Sequence, residues 1–179
     1  MRGPGIDFFR QLERELGPLP LIAEDLGYLT PEVSRLLEET GYPGLKVLQF
    51  AFDPDGESVY LPHRFSHNCV VYTGTHDNDT TQGWYAKLSD AEKAFLDEYI
   101  GGVLPECVHW QLIRLAMGSV ADVCIIPMQD VLGLPGEARM NTPQTAQGNW
   151  RWRLQEGQFD EKTVQALARL TALFGRRTR

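Results

Sequence analysis

CVVYTGTHDND, residues 69–79, places a short apolar run directly before a cluster of polar side chains. We predict a strand over residues 69–74, because such a short, bounded apolar run is typical of a strand buried on both faces. The polar residues His76, Asp77 and Asn78 then follow the carboxyl end of that strand. Parallel α/β folds collect their chemistry at this end, so the stretch predicts a candidate site as well as a strand.

Three further apolar runs show the same arrangement, and helical patterns separate them. Residues 19–23 precede Glu24 and Asp25, the run LKVLQFAF after Gly44 leads to Asp53, and residues 122–126 precede Gln129 and Asp130. Helices are predicted over residues 7–16, from Pro31 after the N-cap Thr30, over 89–100 behind a Ser89–Glu92 capping box, near 108–116 and over 163–174. This alternation predicts βαβ units, with about four parallel strands and one polar rim.

Composition and charge exclude several classes of protein. The net charge is -7, from 24 acidic and 17 basic residues, which argues against a nucleic-acid partner. The three cysteines lie far apart and lack a CxxC spacing, as expected of reduced thiols in a cytoplasmic protein. No stretch has the apolar length of a signal peptide or a membrane span. We therefore expect a soluble, cytoplasmic chain.

Glu24 is the first candidate for catalysis. Cleavage of a glycosidic bond needs one carboxyl group that donates a proton and a second one on the other side of the sugar. A glutamate directly after a buried strand suits the acid role, because apolar surroundings raise the pKa of a carboxyl group. The alternative is that Glu24 or Asp25 only caps the loop before Leu26.

The THDND segment, residues 75–79, is the second candidate. It sets an acid beside an imidazole and an amide, a combination suited to the dense hydroxyl groups of a sugar. A simple turn with a helix N-cap over residues 77–80 explains the same sequence pattern equally well.

Other polar and aromatic clusters carry weaker signals. His63, His67 and Cys69 have a spacing that suits a metal, and residues 53–56 resemble a calcium loop, but neither set of ligands is complete. We predict no metal and no cofactor. Aromatic residues stack on sugar rings but more often belong to a core, and the candidates here are Trp84, Tyr85, Trp150 and Trp152.

Four blocks, in order and spacing, resemble the 4-α-glucanotransferase (amylomaltase) family. They are PLIAEDLGYLTPEV (20–33), PGLKVLQFAF (43–52), YTGTHDNDTTQGWY (72–85) and QDVLGLPGEARMNTP (129–143). The resemblance implies a (β/α)8 barrel that transfers part of an α-1,4-glucan to the 4-hydroxyl of another sugar by a retaining double displacement. Its ligands would be maltooligosaccharides. The LIAEDLG and RMNTP blocks disfavour a related hydrolase or branching enzyme.

The resemblance also implies roles for individual residues. Glu24 matches the family's acid/base, Asp77 matches the acid that stabilises the transition state, and His76 contacts the same sugar. Further substrate-binding positions are implied at Asn78, Asn141, Phe50 and Asp53.

Two departures from the family pattern bear on activity. The family's nucleophile is an aspartate on an earlier barrel strand, and this chain begins after that point; Asp7 lies in a helical pattern and does not replace it. Gln144 stands where the family usually has glycine. We therefore expect residues 1–179 to form the C-terminal half of a barrel, inactive alone, with open sheet edges that bind the missing half or a second copy. The alternative is a non-catalytic glucan-binding fragment.

Overall fold

Three short parallel strands form the centre of the computed structural model, which describes residues 3–177. They are β1 (Gly44–Val47), β2 (Cys69–Tyr72) and β3 (Val123–Ile125), hydrogen-bonded in that order. Leu45 lies opposite Val70, and Val70 lies opposite Val123. Since neighbouring strands are parallel, the chain returns to the same end of the sheet before each new strand, as in an α/β barrel.

Seven helices surround this sheet in the described part of the chain. They are α1 (Ile6–Leu16), α2 (Pro31–Thr40), α3 (Thr81–Lys87), α4 (Asp90–Ile100), α5 (Val108–Met117), α6 (Met128–Val131) and α7 (Glu161–Leu173). The helices predicted from caps and apolar spacing are confirmed to within about two residues at each end. The predicted capping box before α4 is formed in both directions. None of the helices in residues 3–177 has the length and apolar character needed to cross a bilayer.

The predicted strand at residues 19–23 is wrong, so the sheet has three strands rather than four. The Ala23 N–H does donate to the Pro43 carbonyl at 2.9 Å, in the manner of a strand beside β1. The Leu45 N–H, however, donates to the carboxylate of Asp25 at 2.6 Å. A side chain thus takes the place of the main-chain acceptor that a continuing ladder would need, and pairing stops after one bond.

The run predicted as the second strand is also shorter than expected. β1 ends at Val47, and a 3-10 turn follows over Leu48–Phe50. This turn directs Phe50 toward the carboxyl end of the sheet, where 44% of its surface is exposed.

Two sides of the sheet differ in how well they are covered. On the helix side, Val71 packs into a core cluster with Leu96 of α4 and Leu112 of α5, all fully buried. On the other side, Val123 and Ile125 of β3 are 42% and 39% exposed. In a closed barrel this inner side is filled by side chains of the other strands, so β3 has the exposure expected of a partial barrel.

Candidate active site

A cleft of about 700 Å³ lies at the carboxyl ends of the strands. Of the seven residues predicted for the site, five line this cleft: Glu24, Phe50, His76, Asp77 and Asn78. Asn141 reaches the cleft through a contact with Asp77. Asp53 is not among the lining residues. Most of these side chains therefore lie together at the predicted rim of the sheet.

The loop after β2 is a tight turn closed by Asn78. The Asn78 side-chain oxygen accepts hydrogen bonds from the Thr75 N–H at 2.9 Å and from the Thr75 hydroxyl at 2.8 Å. The cap of α3 is Thr80, whose hydroxyl accepts from the Gly83 N–H at 3.0 Å. The turn that is the alternative explanation for this segment is thus present, but the N-cap is Thr80, so the carboxylate of Asp77 does not cap the helix.

Asp77 shares one carboxylate oxygen with two neighbours. Asn141 Nδ2 donates to Oδ1 of Asp77 at 2.5 Å, and Nε2 of His76 lies 3.4 Å from the same oxygen. The side chains of His76 and Asp77 are 52% and 49% exposed. The group is therefore held on one side and open to the cleft on the other, as a site for vicinal hydroxyl groups requires.

Glu24 faces the cleft from the segment that follows residue 23. Burial of Tyr72 raises the pKa of its phenol, and the negative charge of the nearby Glu24 raises that pKa further. The expected enclosure of Glu24 in apolar surroundings is wrong for the described chain, since Glu24 is exposed and no strand precedes it. Asp25 performs the loop-fastening role through its bond to Leu45. Asp25 therefore fills the loop role, while Glu24 faces the cleft and its catalytic role stays a prediction.

Asp53 serves a turn outside the cleft. Its carboxylate accepts a hydrogen bond from the Asp55 N–H at 3.1 Å, and its carbonyl accepts from the Gly56 N–H at 2.9 Å. The sequence of residues 53–56, which resembles a calcium loop, therefore forms a turn stabilised by hydrogen bonds of Asp53. Within residues 3–177, no group of three or more His, Cys, Asp or Glu side chains is arranged to hold a metal.

Of the candidate aromatic residues, Trp150 alone lines the cleft. Its ring lies 5.1 Å from the His76 ring, at an interplanar angle of 37°, and 54% of the residue is exposed. Trp84 instead packs against the core near Phe52, with ring centroids 5.9 Å apart, and Tyr85 joins the same core cluster. Trp150 adopts a φ of 61°, a left-handed conformation that is uncommon for a bulky residue and is often found at functional sites.

Two residues organise the site through contacts that their sequence patterns do not predict. Asp130, predicted on the rim, is 2% exposed; it accepts a hydrogen bond from the Thr73 hydroxyl and another from the Thr81 N–H at 2.7 Å. Burial raises the pKa of its carboxyl group, while these two bonds act in the opposite direction. The signal was available: Asp130 lies in a mostly apolar stretch, residues 125–134. The second residue is Arg139, which donates to the main-chain carbonyls of Asp77 and Asn141.

The sheet is parallel, with helices on its outer side, and a cleft with two carboxylates lies at the carboxyl ends of its strands. This arrangement is that of part of a (β/α)8-barrel protein. Comparison with known sequences makes this specific. The chain belongs to the 4-alpha-glucanotransferase family, whose sequence model matches residues 1–159.

Individual relatives agree in name and in the part they share. The 4-alpha-glucanotransferase of Synechocystis sp. is 50% identical over 176 residues, which cover 97% of this chain and 35% of the relative. That of Thermus thermophilus is 48% identical, over 89% of this chain and 33% of the relative. The chain thus spans about a third of the length of the curated relatives it matches. The Arabidopsis thaliana relative, 43% identical, is chloroplastic or amyloplastic by name, so the cytoplasmic location stays a prediction.

Solved structures confirm the fold that the resemblance implied. The amylomaltase of Streptococcus agalactiae, in complex with acarbose, superposes with a TM-score of 0.95 and 36% identity, over 99% of this chain and 36% of that one. The amylomaltase of Corynebacterium glutamicum, 18% identical, shares the fold with a TM-score of 0.63.

Proposed function

We propose that this chain forms part of the active site of a 4-alpha-glucanotransferase, which moves a segment of an α-1,4-glucan to the 4-hydroxyl of an acceptor sugar. The observation that carries the proposal is that Glu24 and Asp77 line one cleft at the strand ends. Membership of the family and the acarbose complex of the Streptococcus agalactiae neighbour support an oligosaccharide ligand.

Glu24 acts as the general acid and then as the general base. In the first step its proton passes to the glycosidic oxygen, while a carboxylate nucleophile bonds to the anomeric carbon and the leaving glucan departs. In the second step Glu24 takes the proton of the acceptor hydroxyl, whose oxygen displaces the enzyme carboxylate. Asp77 accepts hydrogen bonds from hydroxyl groups of the reacting sugar, and its negative charge stabilises the positive charge that develops on that sugar in the transition state.

The nucleophile comes from elsewhere in the barrel. Among the residues of the described chain that line the cleft, the carboxylates are Glu24 and Asp77. A retaining mechanism in which these two serve as acid/base and stabiliser needs a further carboxylate. We therefore propose that the remaining barrel strands supply it, and that this chain by itself transfers no glucan.

A second candidate function is glucan binding without catalysis. Two observations support it: His76, Asp77 and Trp150 are brought together at the cleft, and the carboxylates that line the cleft within residues 3–177, Glu24 and Asp77, are both assigned above to roles other than nucleophile. Binding and transfer can be separated by experiment.

The test is disproportionation of maltotriose, with product lengths resolved by chromatography. The chain is assayed alone and after mixing with the remaining part of the Synechocystis relative. We expect a ladder of longer and shorter glucans in the mixture only. Glu24→Gln should abolish the ladder, while Glu98→Gln, an exposed change on α4 outside the cleft, should leave it intact.

The negative outcomes are also informative. A mixture that assembles by gel filtration but makes no ladder contradicts the transferase. Calorimetric titration of the chain with acarbose then decides whether binding without catalysis survives.

A further inference from the structure

Two loops meet beside the cleft, and a single arginine joins them. The first is the turn after β2, which carries Asp77; the second is the segment 139–150. Arg139 Nε donates to the Asn141 carbonyl at 2.7 Å, and Arg139 Nη2 donates to the Asp77 carbonyl. One planar guanidinium group therefore fixes the main chain of both loops at once.

The joined main chains set the side-chain contact between the loops. The Asn141 N–H donates to the His76 carbonyl at 3.1 Å, and its side chain donates to the carboxylate of Asp77. Both contacts require the main chain at Asn141 to keep its position beside the turn after β2. Arg139 is the charged donor in this set, and hydrogen bonds from charged donors are about twice as strong as neutral ones.

The far end of the second loop bonds back to the start of that loop and packs on the same turn. The Trp150 N–H donates to the Met140 carbonyl at 2.7 Å, and the Trp150 ring packs on His76. His76, Asp77 and Trp150 are each about half exposed, so packing in the core does not hold them. Hydrogen bonds to the main chain must therefore provide most of the order at this side of the cleft.

We propose that Arg139 is a positioning residue for glucan binding. By fixing the carbonyls of Asp77 and Asn141, it holds the Asp77 carboxylate in the orientation that accepts two neighbouring hydroxyl groups of a bound glucose unit. It touches no substrate itself. The inference rests on the proposed function, because it assigns Asp77 to a glucan.

The test compares Arg139→Met with Arg64→Met, each of which removes a guanidinium that bonds two main-chain carbonyls. Arg64 donates to the carbonyls of Glu57 at 2.6 Å and Gly56 at 3.1 Å, in a loop outside the cleft. Calorimetry gives the dissociation constant for acarbose, and circular dichroism gives Tm. We expect Arg139→Met to weaken acarbose binding about tenfold or more, and Arg64→Met to leave it within about twofold, with similar Tm values.

Two further variants separate positioning from general loosening. Arg139→Lys keeps one charged donor, so acarbose binding should fall less than in Arg139→Met. In an Asp77→Asn background, Arg139→Met should add little further loss, because the two residues act as one unit. An unchanged dissociation constant in Arg139→Met, or independent and additive losses in the double variant, would overturn the inference.

Hydrogen exchange tests whether Arg139 holds the two loops together, independently of the proposed function. If the unaltered chain binds no acarbose, the proposed glucan site fails in this chain, and exchange of the Asn141 amide, which bonds the His76 carbonyl, becomes the readout. Arg139→Met should speed that exchange about tenfold while the Val71 amide, buried in β2, is unaffected. Unchanged exchange at Asn141 would show that Arg139 does not hold the loops, and would overturn the inference.

Discussion

Replacement of Asp130 by alanine removes the acceptor that joins the two ends of the Asp77 loop. Thr73 lies at the end of β2 and Thr81 opens α3, and Asp130 accepts a hydrogen bond from each. Both donors are buried. A buried donor left unpaired costs about 1 to 3 kcal/mol, so the loss of both predicts a fall of about 2 to 6 kcal/mol in the free energy of unfolding.

The matched variant is Asp130→Asn, which keeps the shape and loses the charge. Its amide oxygen can accept from the Thr81 N–H, and its amino group can donate to the Thr73 hydroxyl. We expect it to unfold within about 1 kcal/mol of the unaltered chain, since burying an amide costs less than burying a carboxylate. Urea denaturation followed by circular dichroism measures both variants.

The pH dependence provides a second check with a definite sign. Burial raises the pKa of Asp130 above its ordinary value of 3.8. Between the ordinary and the raised pKa, the folded state binds more protons than the unfolded state, so the contribution of Asp130 to stability falls as pH rises through this window. The stability of the unaltered chain relative to Asp130→Asn should therefore be greatest in acid.

Two results would refute the reasoning about Asp130. If Asp130→Asn were as unstable as Asp130→Ala, the negative charge itself would be required and the hydrogen bonds would not explain the site. A gain in the stability of the unaltered chain over Asp130→Asn as pH rises would contradict the sign of the pKa shift.

Three further predictions concern the surroundings of the site and the helices. Gly44→Ala should lower the free energy of unfolding by about 1 to 3 kcal/mol in urea, because the added Cβ would meet Asp25 Oδ2 at 2.5 Å and displace a carboxylate bonded to β1; an unchanged midpoint would contradict this. Ser89→Ala should cost about 1 kcal/mol in urea by opening the capping box. Hydrogen bonds from Ser89 lower the pKa of Glu92, so the part of this cost that comes from the Glu92 carboxylate should be present above pH 4.5 and be lost as pH falls through the lowered pKa, whereas the bond from the Glu92 N–H to the Ser89 hydroxyl remains; a cost that is no larger at neutral pH than in strong acid would refute the link. Burial raises the pKa of Cys124 to about 11, so alkylation by iodoacetamide at pH 8, followed by mass spectrometry, should be roughly a hundredfold slower than for an exposed cysteine, and rapid labelling of the folded chain would contradict the burial.

The elements that local chemistry specifies were predictable from sequence. The capping box before α4 and the apolar spacing of α1 and α7 each define a helix without reference to the rest of the chain, and all three are confirmed. β2 was predicted because its apolar run ends in the polar THDND segment. The gathering of Glu24 and Asp77 in one cleft was predicted from the rule that parallel strands share their carboxyl ends, although residues 19–23, which precede Glu24, form no strand.

The features that depend on distant partners were not predictable from the same patterns. Residues 19–23 have the apolar character of a strand, but whether they pair depends on Asp25, which takes the Leu45 amide for itself. Arg139 acts across 62 residues of sequence, through a carbonyl that carries no side-chain signature. Contacts between a side chain and a remote main-chain group leave no periodic trace, so only the fold reveals them.

The uncovered side of the sheet bears on how the nucleophile, which we propose to come from other barrel strands, would reach the cleft. Covering Val123 and Ile125, now 42% and 39% exposed, would contribute about 1 kcal/mol each, since fully burying such a side chain is worth about 1.5 to 3 kcal/mol. Association of two chains costs about 4 to 15 kcal/mol in lost freedom, so β3 alone cannot hold a complementing half. Covering Leu21 and Ile22 at the opposite edge, 36% and 47% exposed, would add about as much again. The four side chains together reach only the low end of that cost, so a stable complex also needs main-chain pairing and further contacts along both edges. A partner that covers both edges closes the barrel around the cleft, and on our proposal this same closure brings the nucleophile opposite Glu24.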